Sequence, residues 1–342
     1  MDYKKLGHTL KVVGATCKLL LGSSSYSFNG KVVLITGGSR GLGLVLARQL
    51  AEKGARLCLC ARDQAELQRA AGELRARGAE VLTYAGDVSV HEQARGAVEA
   101  TATRFGRLDV LINDAGIIQV GPLQHMQLED FRSALGVHFW GPLHTMLAAI
   151  PHLRRAGGGR ILNIASIGGK TPIPQLAPYC ASKFALVGLS SALRSELLRE
   201  NILVTTACPW LMRTGSHYNA QFKGQNKATF TEFAIADGLP LLTVKAERAA
   251  RQILRACQRG RAELMVGPQA RLLYRLSTLM PETLSVVLSL VGQLMPGPIG
   301  PEGNVSHTGW ESETAWAPSL LTRLADQATA RNNELKDHPK PA

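Results

Sequence analysis

Apolar residues arrive along this chain in short dense runs, separated by longer stretches in which they recur every three or four positions. The dense runs cover 31–36, 55–60, 80–87, 108–113, 160–165, 202–207 and 262–266. Their length and their content of Val, Ile and Leu suit strands buried on both faces. Helical periodicity fills the gaps at 44–53, 91–105, about 179–200 and 247–258. Strands alternating with helices predict a parallel, doubly wound α/β sheet of the Rossmann type, with about seven strands and helices on both faces.

Punctuation refines this reading. Asp63 precedes Glu66 by three positions ahead of a helical run, and Ser89 precedes Glu92 in the same way, so both pairs read as capping boxes. Residues 121–155 carry one long helical pattern broken at Gly141-Pro142. The stretch 213–243 has little periodicity and reads as a loop placed to act as a substrate lid. Beyond Gly267 the chain changes character. Residues 271–295 are rich in Leu and Val around Pro281, 296–303 form a Pro/Gly linker, and 320–333 read as a polar helix before a frayed end. The expected divisions are an N-terminal segment over 1–29, a dinucleotide-binding domain over 30–268 and a C-terminal extension over 269–342.

The N-terminal segment places Leu6, Leu10, Val13, Cys17 and Leu20 at helical spacing, among Lys4, Lys5, Lys11 and Lys18. The lysines break any continuous apolar core, which excludes a spanning helix and a good signal peptide. An amphipathic helix on a membrane surface or on the protein's own body remains. The clean apolar part of 271–295 is also shorter than a span, and a pocket cap, an oligomer contact or a membrane-surface helix each fit it.

The chain has 342 residues, 45% of them hydrophobic and 19% charged, which excludes a disordered chain. The net charge of +13 is scattered, without a basic block or interleaved aromatics, and so argues against nucleic acid as a partner. The cysteines show no metal spacing and no metal is expected; buried free thiols in a reducing, cytoplasmic setting follow, with peripheral membrane association left open.

Chemistry concentrates at the carboxyl ends of the strands, where ligands bind in such sheets. Gly37-Gly38-Ser39-Arg40-Gly41-Leu42-Gly43 follows the first strand and opens a helix, as a pyrophosphate-binding turn does. Arg62 ends the second strand where an acidic residue would favour NAD; with Asp63 assigned to capping, Arg62 and Arg40 point to the 2′-phosphate of NADP. Asp87 closes the third strand, where it is placed to accept from the adenine amino group, and Asn113-Asp114-Ala115-Gly116 closes the fourth. Ser166 ends the fifth, and Tyr179 and Lys183 stand four residues apart, one helical turn, on the helix that follows. A free phenol has a pKa of about 10. An adjacent ammonium lowers it, which suits Tyr179 to proton transfer near neutral pH.

Taken together, Thr36-Gly-Gly-Ser-Arg-Gly-Leu-Gly43, Asn113-Asp-Ala-Gly116, Ser166 and Tyr179-Cys-Ala-Ser-Lys183 resemble the short-chain dehydrogenase/reductase superfamily over roughly residues 30–268. The resemblance implies an NADP(H)-dependent oxidoreductase interconverting a carbonyl compound and an alcohol. Tyr179 would transfer the proton, Lys183 would bind the nicotinamide ribose, and Ser166 would orient the substrate oxygen. Gly37, Ser39, Arg40, Gly41, Leu42 and Gly43 would line the pyrophosphate side. Asp87 and Val88 would meet adenine, Asn113, Ala115 and Gly116 the ribose, and Pro209 and Thr214 the nicotinamide carboxamide. Family members are often dimers or tetramers, so a homo-oligomer is expected. Three positions depart from the pattern: His138 replaces an Asn that supports a water-mediated proton relay, Asp114 replaces an Asn, and Trp210 replaces a Gly beside the nicotinamide end. The apolar, basic terminal segments suggest a hydrophobic substrate. His138 and Trp210 motivate the alternative, a cofactor-binding scaffold or sensor that no longer turns over.

Overall fold

The computed structural model describes residues 26–334. The expected amphipathic helix therefore lies almost wholly outside the described residues, as does Cys17. The strands are β1 Val32–Thr36, β2 Arg56–Ala61, β3 Val81–Ala85, β4 Val110–Asn113, β5 Gly159–Ile164, β6 Ile202–Pro209 and β7 Glu263–Val266. They form one sheet of seven strands in the order β7-β6-β5-β4-β1-β2-β3. All neighbouring pairs are parallel. The order reverses between β1 and β4, the switch point at which doubly wound sheets bind ligands.

Both faces of the sheet are covered, and the strands show why their sequences are continuous apolar runs. Val33 and Ile35 of β1 point into one core with Leu57 and Leu59 of β2. There they meet α1 (Gly41–Ala51), α2 (Gln64–Ala76) and α8 (Ala246–Gln258). Val32 and Leu34 point into the other core, against α3 (His91–Phe105), α5 (Gly141–Arg155) and α6 (Ala177–Leu197). Each fully buried Leu or Ile contributes about 1.5–3 kcal/mol, and so the sheet is held from both sides.

Three local expectations change. Asp63 does cap α2, accepting from the Glu66 amide at 2.8 Å, but the Glu66 carboxylate does not return to it and binds Ser39 and Arg40 instead. Ser89 is not a cap: its amide and hydroxyl both donate to Asp87 Oδ1, and α3 starts after Val90. The pattern over 121–155 resolves into a 3₁₀ turn (Leu123–His125), α4 (Leu128–Leu135), a π-helical turn (Gly136–Trp140) and α5.

The stretch 213–243 is not a loop. It holds a 3₁₀ turn (Ser216–Asn219), a short strand (Gln221–Phe222) and α7 (Asn226–Gly238). The buried side of α7 mixes Thr229, Asp237 and Gly238 with Phe230 and Ala234, so no apolar stripe stands out in its sequence.

After β7, α9 (Pro268–Leu279) and α10 (Pro281–Leu294) leave the body. The chain then returns: His307–Thr308 pairs antiparallel with Gln221–Phe222, and α11 (Arg323–Arg331) packs on α7. His217 fastens this return. It lies wholly buried, 3.2 Å from Asp237 of α7 and 3.7 Å from Asp326 of α11. Burial opposes its charge, yet the hydrogen bond to Asp237 and the nearby Asp326 carboxylate win and lift its pKa to about 9. The end is not frayed up to Glu334: Asn332, Asn333 and Glu334 are all buried.

Candidate active site

The glycine turn sits at the switch point, pressed against the end of β4. A Cβ on Gly37 would lie 2.8 Å from the Ala115 backbone, and one on Gly43 2.1 Å from Gly37 O. The turn closes only with glycine at these two positions, and Gly37 also has φ +70°. Helix α1 starts at Gly41 with no side-chain cap on its Arg40 N-cap. Its positive end therefore faces the switch point, as anion binding requires. Leu42 turns its side chain into the core, so it offers the cradle only backbone.

Ser39 Oγ donates to Glu66 Oε2 at 2.9 Å, and Arg40 pairs with Glu66 at 2.7 Å and with Glu334 at 3.4 Å. Arg40 is thus held by two carboxylates rather than free for a 2′-phosphate. Arg62 at the end of β2 is exposed and makes no hydrogen bond or ion pair among the described residues. Asp87 uses Oδ1 on Ser89. Val88 packs in the core and approaches Gly141, where a Cβ would lie 2.8 Å from its Cγ2.

Asn113 does not turn its side chain to a ribose. Its amide donates to Asn163 Oδ1 at 2.9 Å and its oxygen accepts from Thr145 at 2.7 Å, tying β4 to β5 and α5. Asn163 in turn donates to Ser190 of α6. An Asn inside the apolar run of β5 was the one visible sign of this network. Ala115 and Gly116 leave only backbone at the β4 end, and a Cβ on Gly116 would stand 3.2 Å from His138 Nε2. Pro209 ends β6, and Thr214 bonds to Ser216 at 2.9 Å.

Ser166, Tyr179 and Lys183 do come together. Ser166 Oγ accepts from the Gly168 amide at 3.0 Å, which fixes the hydroxyl at the end of β5 and leaves its proton to donate. Tyr179 and Lys183 share one face of α6, with Lys183 Nζ 5.6 Å from the Tyr179 ring centre. Lys183 is buried and donates to Ile164 O at 3.0 Å. The expected depression of the phenol is not what the surroundings produce. Burial pushes the Tyr179 pKa up to about 12, against the pull of Ser166. Burial likewise brings Lys183 down to about 8, against Asp114. Asp114 itself is carried to about 8 by burial, with Lys183 and the Gly43 amide opposing.

His138 has both ring nitrogens engaged within the protein. Its Nε2 accepts from the Ile117 amide at 3.1 Å, which places the proton on Nδ1, 2.7 Å from Ser182 Oγ. Ser182 donates onward to Tyr179 O at 2.8 Å, and the imidazole stands edge-on to the Tyr179 ring at 5.4 Å. Neither nitrogen is left to hold a water, and burial keeps the ring neutral, its pKa well below the usual histidine range. His138 positions Tyr179 from the π-helical turn, a feature common beside functional sites. Trp210 also moves out of its expected place: its indole donates to Leu242 O at 2.6 Å and packs with Met265 and Tyr274, under α9.

An apolar wall stands against Tyr179, and the returning chain adds Ala317 and Trp310 to it. Val120, Leu176, Tyr218, Phe222 and Phe230 form one buried cluster, with Ile118, Ile173, Phe233 and Trp310 against it. Among the described residues no cluster of His, Cys, Asp or Glu suits a metal. The cysteines Cys58, Cys60, Cys180, Cys208 and Cys257 are free and buried.

A glycine turn, a helix N-terminus at the switch point and an apposed Ser, Tyr and Lys define a nicotinamide-dinucleotide oxidoreductase of the short-chain type. The family model for short chain dehydrogenase matches residues 31–223, and the chain belongs to that family. It is 34% identical over 263 residues to 11-beta-hydroxysteroid dehydrogenase-like 4A of Arabidopsis thaliana, covering 76% of this chain and 84% of that one. It is 34% identical over 274 residues to 11-beta-hydroxysteroid dehydrogenase A of Sesamum indicum, covering 78% and 77%. Among solved structures it resembles L-sorbose reductase from Gluconobacter frateurii, complexed with NADPH and L-sorbose, with a TM-score of 0.64 and 25% identity over 71% of this chain and 97% of that one.

Proposed function

We propose that the protein is an NADP(H)-dependent reductase of a hydrophobic ketone or aldehyde, with Tyr179 as the acid. The observation that carries this reading is the placement of Tyr179 beside Ser166 and against the apolar wall of Val120, Phe222 and Phe230. The bound dinucleotide supplies the hydride. Ser166 donates to the substrate oxygen and holds it within reach of the phenol. With a pKa near 12, Tyr179 is protonated at neutral pH, and so it is poised to give a proton to a carbonyl oxygen that is becoming an alkoxide. Lys183, held at Ile164 O, would bind the cofactor's ribose and return a proton to the phenol. Exposed Arg62 supports the choice of NADP, because a guanidinium with no other partner among the described residues matches a 2′-phosphate.

The decisive measurement pairs nicotinamide fluorescence with turnover. Tyr179→Phe should abolish carbonyl reduction while NADPH still binds, and Arg62→Ala should erase a preference for NADPH over NADH. Turnover surviving Tyr179→Phe would sink the mechanism. A Tyr179→Phe protein that still performs its cellular role would favour the scaffold reading.

Contact with an apolar phase is the companion proposal. Leu279, Val286, Leu290 and Leu294 are exposed on α9 and α10, with Arg271 and Arg275 beside them. No helix of the described residues is long and apolar enough to cross a membrane, so α10 would lie in the interface. A groove of about 520 Å³ lies between α10 and Ile173–Pro174, and Ile173 also packs against the cluster that holds Tyr179. Replacing Leu290 and Leu294 by Ser should reduce partition to anionic liposomes; unchanged partition would remove the basis of the idea. Homo-oligomers stay part of the reading, testable by sedimentation.

A further inference from the structure

We infer that residues 332–334 form a strap seated in the dinucleotide cradle, and that the Glu334 carboxylate competes with the cofactor's pyrophosphate for the start of α1. The inference rests on the dinucleotide reading of the glycine turn and adds a regulator to it.

The contacts are specific. The Gly41 amide, the first N–H of α1, donates to Asn332 O at 2.9 Å. Glu334 Oε1 lies 2.7 Å from where a Gly41 Cβ would stand, so the carboxylate fills the space that the missing side chain opens. That space is what a glycine at this position keeps clear for a pyrophosphate. Glu334 is only 3% exposed and is held by Asn219 and by Arg40. A carboxylate buried against a helix N-terminus satisfies the same dipole and amide that an anionic ligand would.

The neighbouring residues complete the fastening. Asn333 donates to Ser39 O at 2.8 Å and to Glu66 O at 3.1 Å, and accepts from Arg69 at 2.9 Å. Asn332 donates to Thr214 O at 3.1 Å and accepts from Arg48 at 3.1 Å. The strap therefore bridges the glycine turn, the first turn of α2 and the segment around Thr214, and the dinucleotide reading assigns the first and last of these to the cofactor. Two anions cannot share one helix end, and like charges at such distances repel strongly in a buried setting. For the cofactor to seat, the strap must lift.

Its cost to binding follows from populations. A site competent only when the strap is open binds with its intrinsic affinity reduced by the open fraction. A strap closed in nine molecules of ten weakens binding tenfold.

The test uses the full chain, a form ending at Arg331, and Glu334→Ala, each titrated with NADPH by nicotinamide fluorescence. The shortened form should bind at least tenfold tighter, and Glu334→Ala several-fold tighter. In the unaltered protein, hydrogen exchange supplies a readout that no substitution can disturb. The Asn333 and Glu334 amides, bonded to Ala330 O and Thr329 O, should exchange faster when NADPH is added. Weaker binding by the shortened form, with slower exchange on NADPH addition, would make the strap a cover over the cofactor and overturn the inference. Equal binding by all three forms would overturn it alone. Binding by none would overturn the dinucleotide reading beneath it.

Discussion

His138→Ala tests whether this imidazole positions or relays. The ring is 1% exposed and makes a hydrogen bond through each nitrogen. Its removal takes the partner from the half-buried Ile117 amide, at a cost of about 1 kcal/mol. It also takes the edge-on partner from Tyr179 and leaves a cavity, and truncating a buried ring typically brings the total to about 3–5 kcal/mol. Urea unfolding should show a loss of that size with an unchanged m-value. The pH dependence carries the sharper information. Because burial holds the folded imidazole neutral, the unfolded chain alone takes up a proton below pH ~6.5, and this site's contribution is lost as pH falls through that value. The stability gap between the native protein and the variant should therefore be widest near pH 8 and narrow by about pH 5. Turnover should fall without a shift in the pH–rate profile, since a neutral, fully bonded ring does not titrate in the working range. A loss below about 1 kcal/mol, or a profile whose limb moves, would refute the positioning role.

Other predictions are independent of it. Asp114→Asn removes a carboxyl whose folded pKa stands near 8 and whose unfolded pKa is the ordinary 3.8. Between those values only the folded state holds the proton, so the native protein should lose stability as pH rises across that window, and the variant's curve should be flatter; urea midpoints across the range decide it. His217, raised to about 9, contributes stability that is complete below pH ~6.5 and lost as pH rises through 9. Protection factors in α11, corrected for the base-catalysed rise in intrinsic exchange, should accordingly fall from neutral to alkaline pH, and His217→Ala should abolish that fall. Protection factors in α11 that stay alike at both would show that the clip to Asp237 and Asp326 does not hold it.

The strand plan was legible because each strand is buried on both faces and so appears as an unbroken apolar run. The cluster of Ser166, Tyr179 and Lys183 was legible for a different reason: two of its members are one turn apart on a helix, and the third ends the preceding strand. What stayed hidden depends on partners distant in sequence. Nothing local distinguishes His138 as a relay from His138 as a strut; Ile117 and Ser182 decide that. Ser89 and Glu92 spell a cap, yet Asp87 captures the Ser hydroxyl first. Glu66 spells the second half of a capping box, but Ser39 and Arg40 offer it a better pair of donors. Glu334 sits in a polar tail with no apolar rhythm, and only the space beside Gly41 gives it meaning.

The pairing of Asn333 with Ser39 joins positions 294 residues apart. A ribosome releases the glycine turn well before the strap, and chains fold as they emerge. The nucleotide-binding half can thus be assembled while its closing segment is still being made. During that interval a dinucleotide meets a turn with no internal rival, and a ligand that binds only folded chain stabilises it. The nascent protein is in this sense more receptive to its cofactor than the finished one, and contacts of such long range are also the slowest to form. Translation order thereby gives the cofactor a head start over the strap.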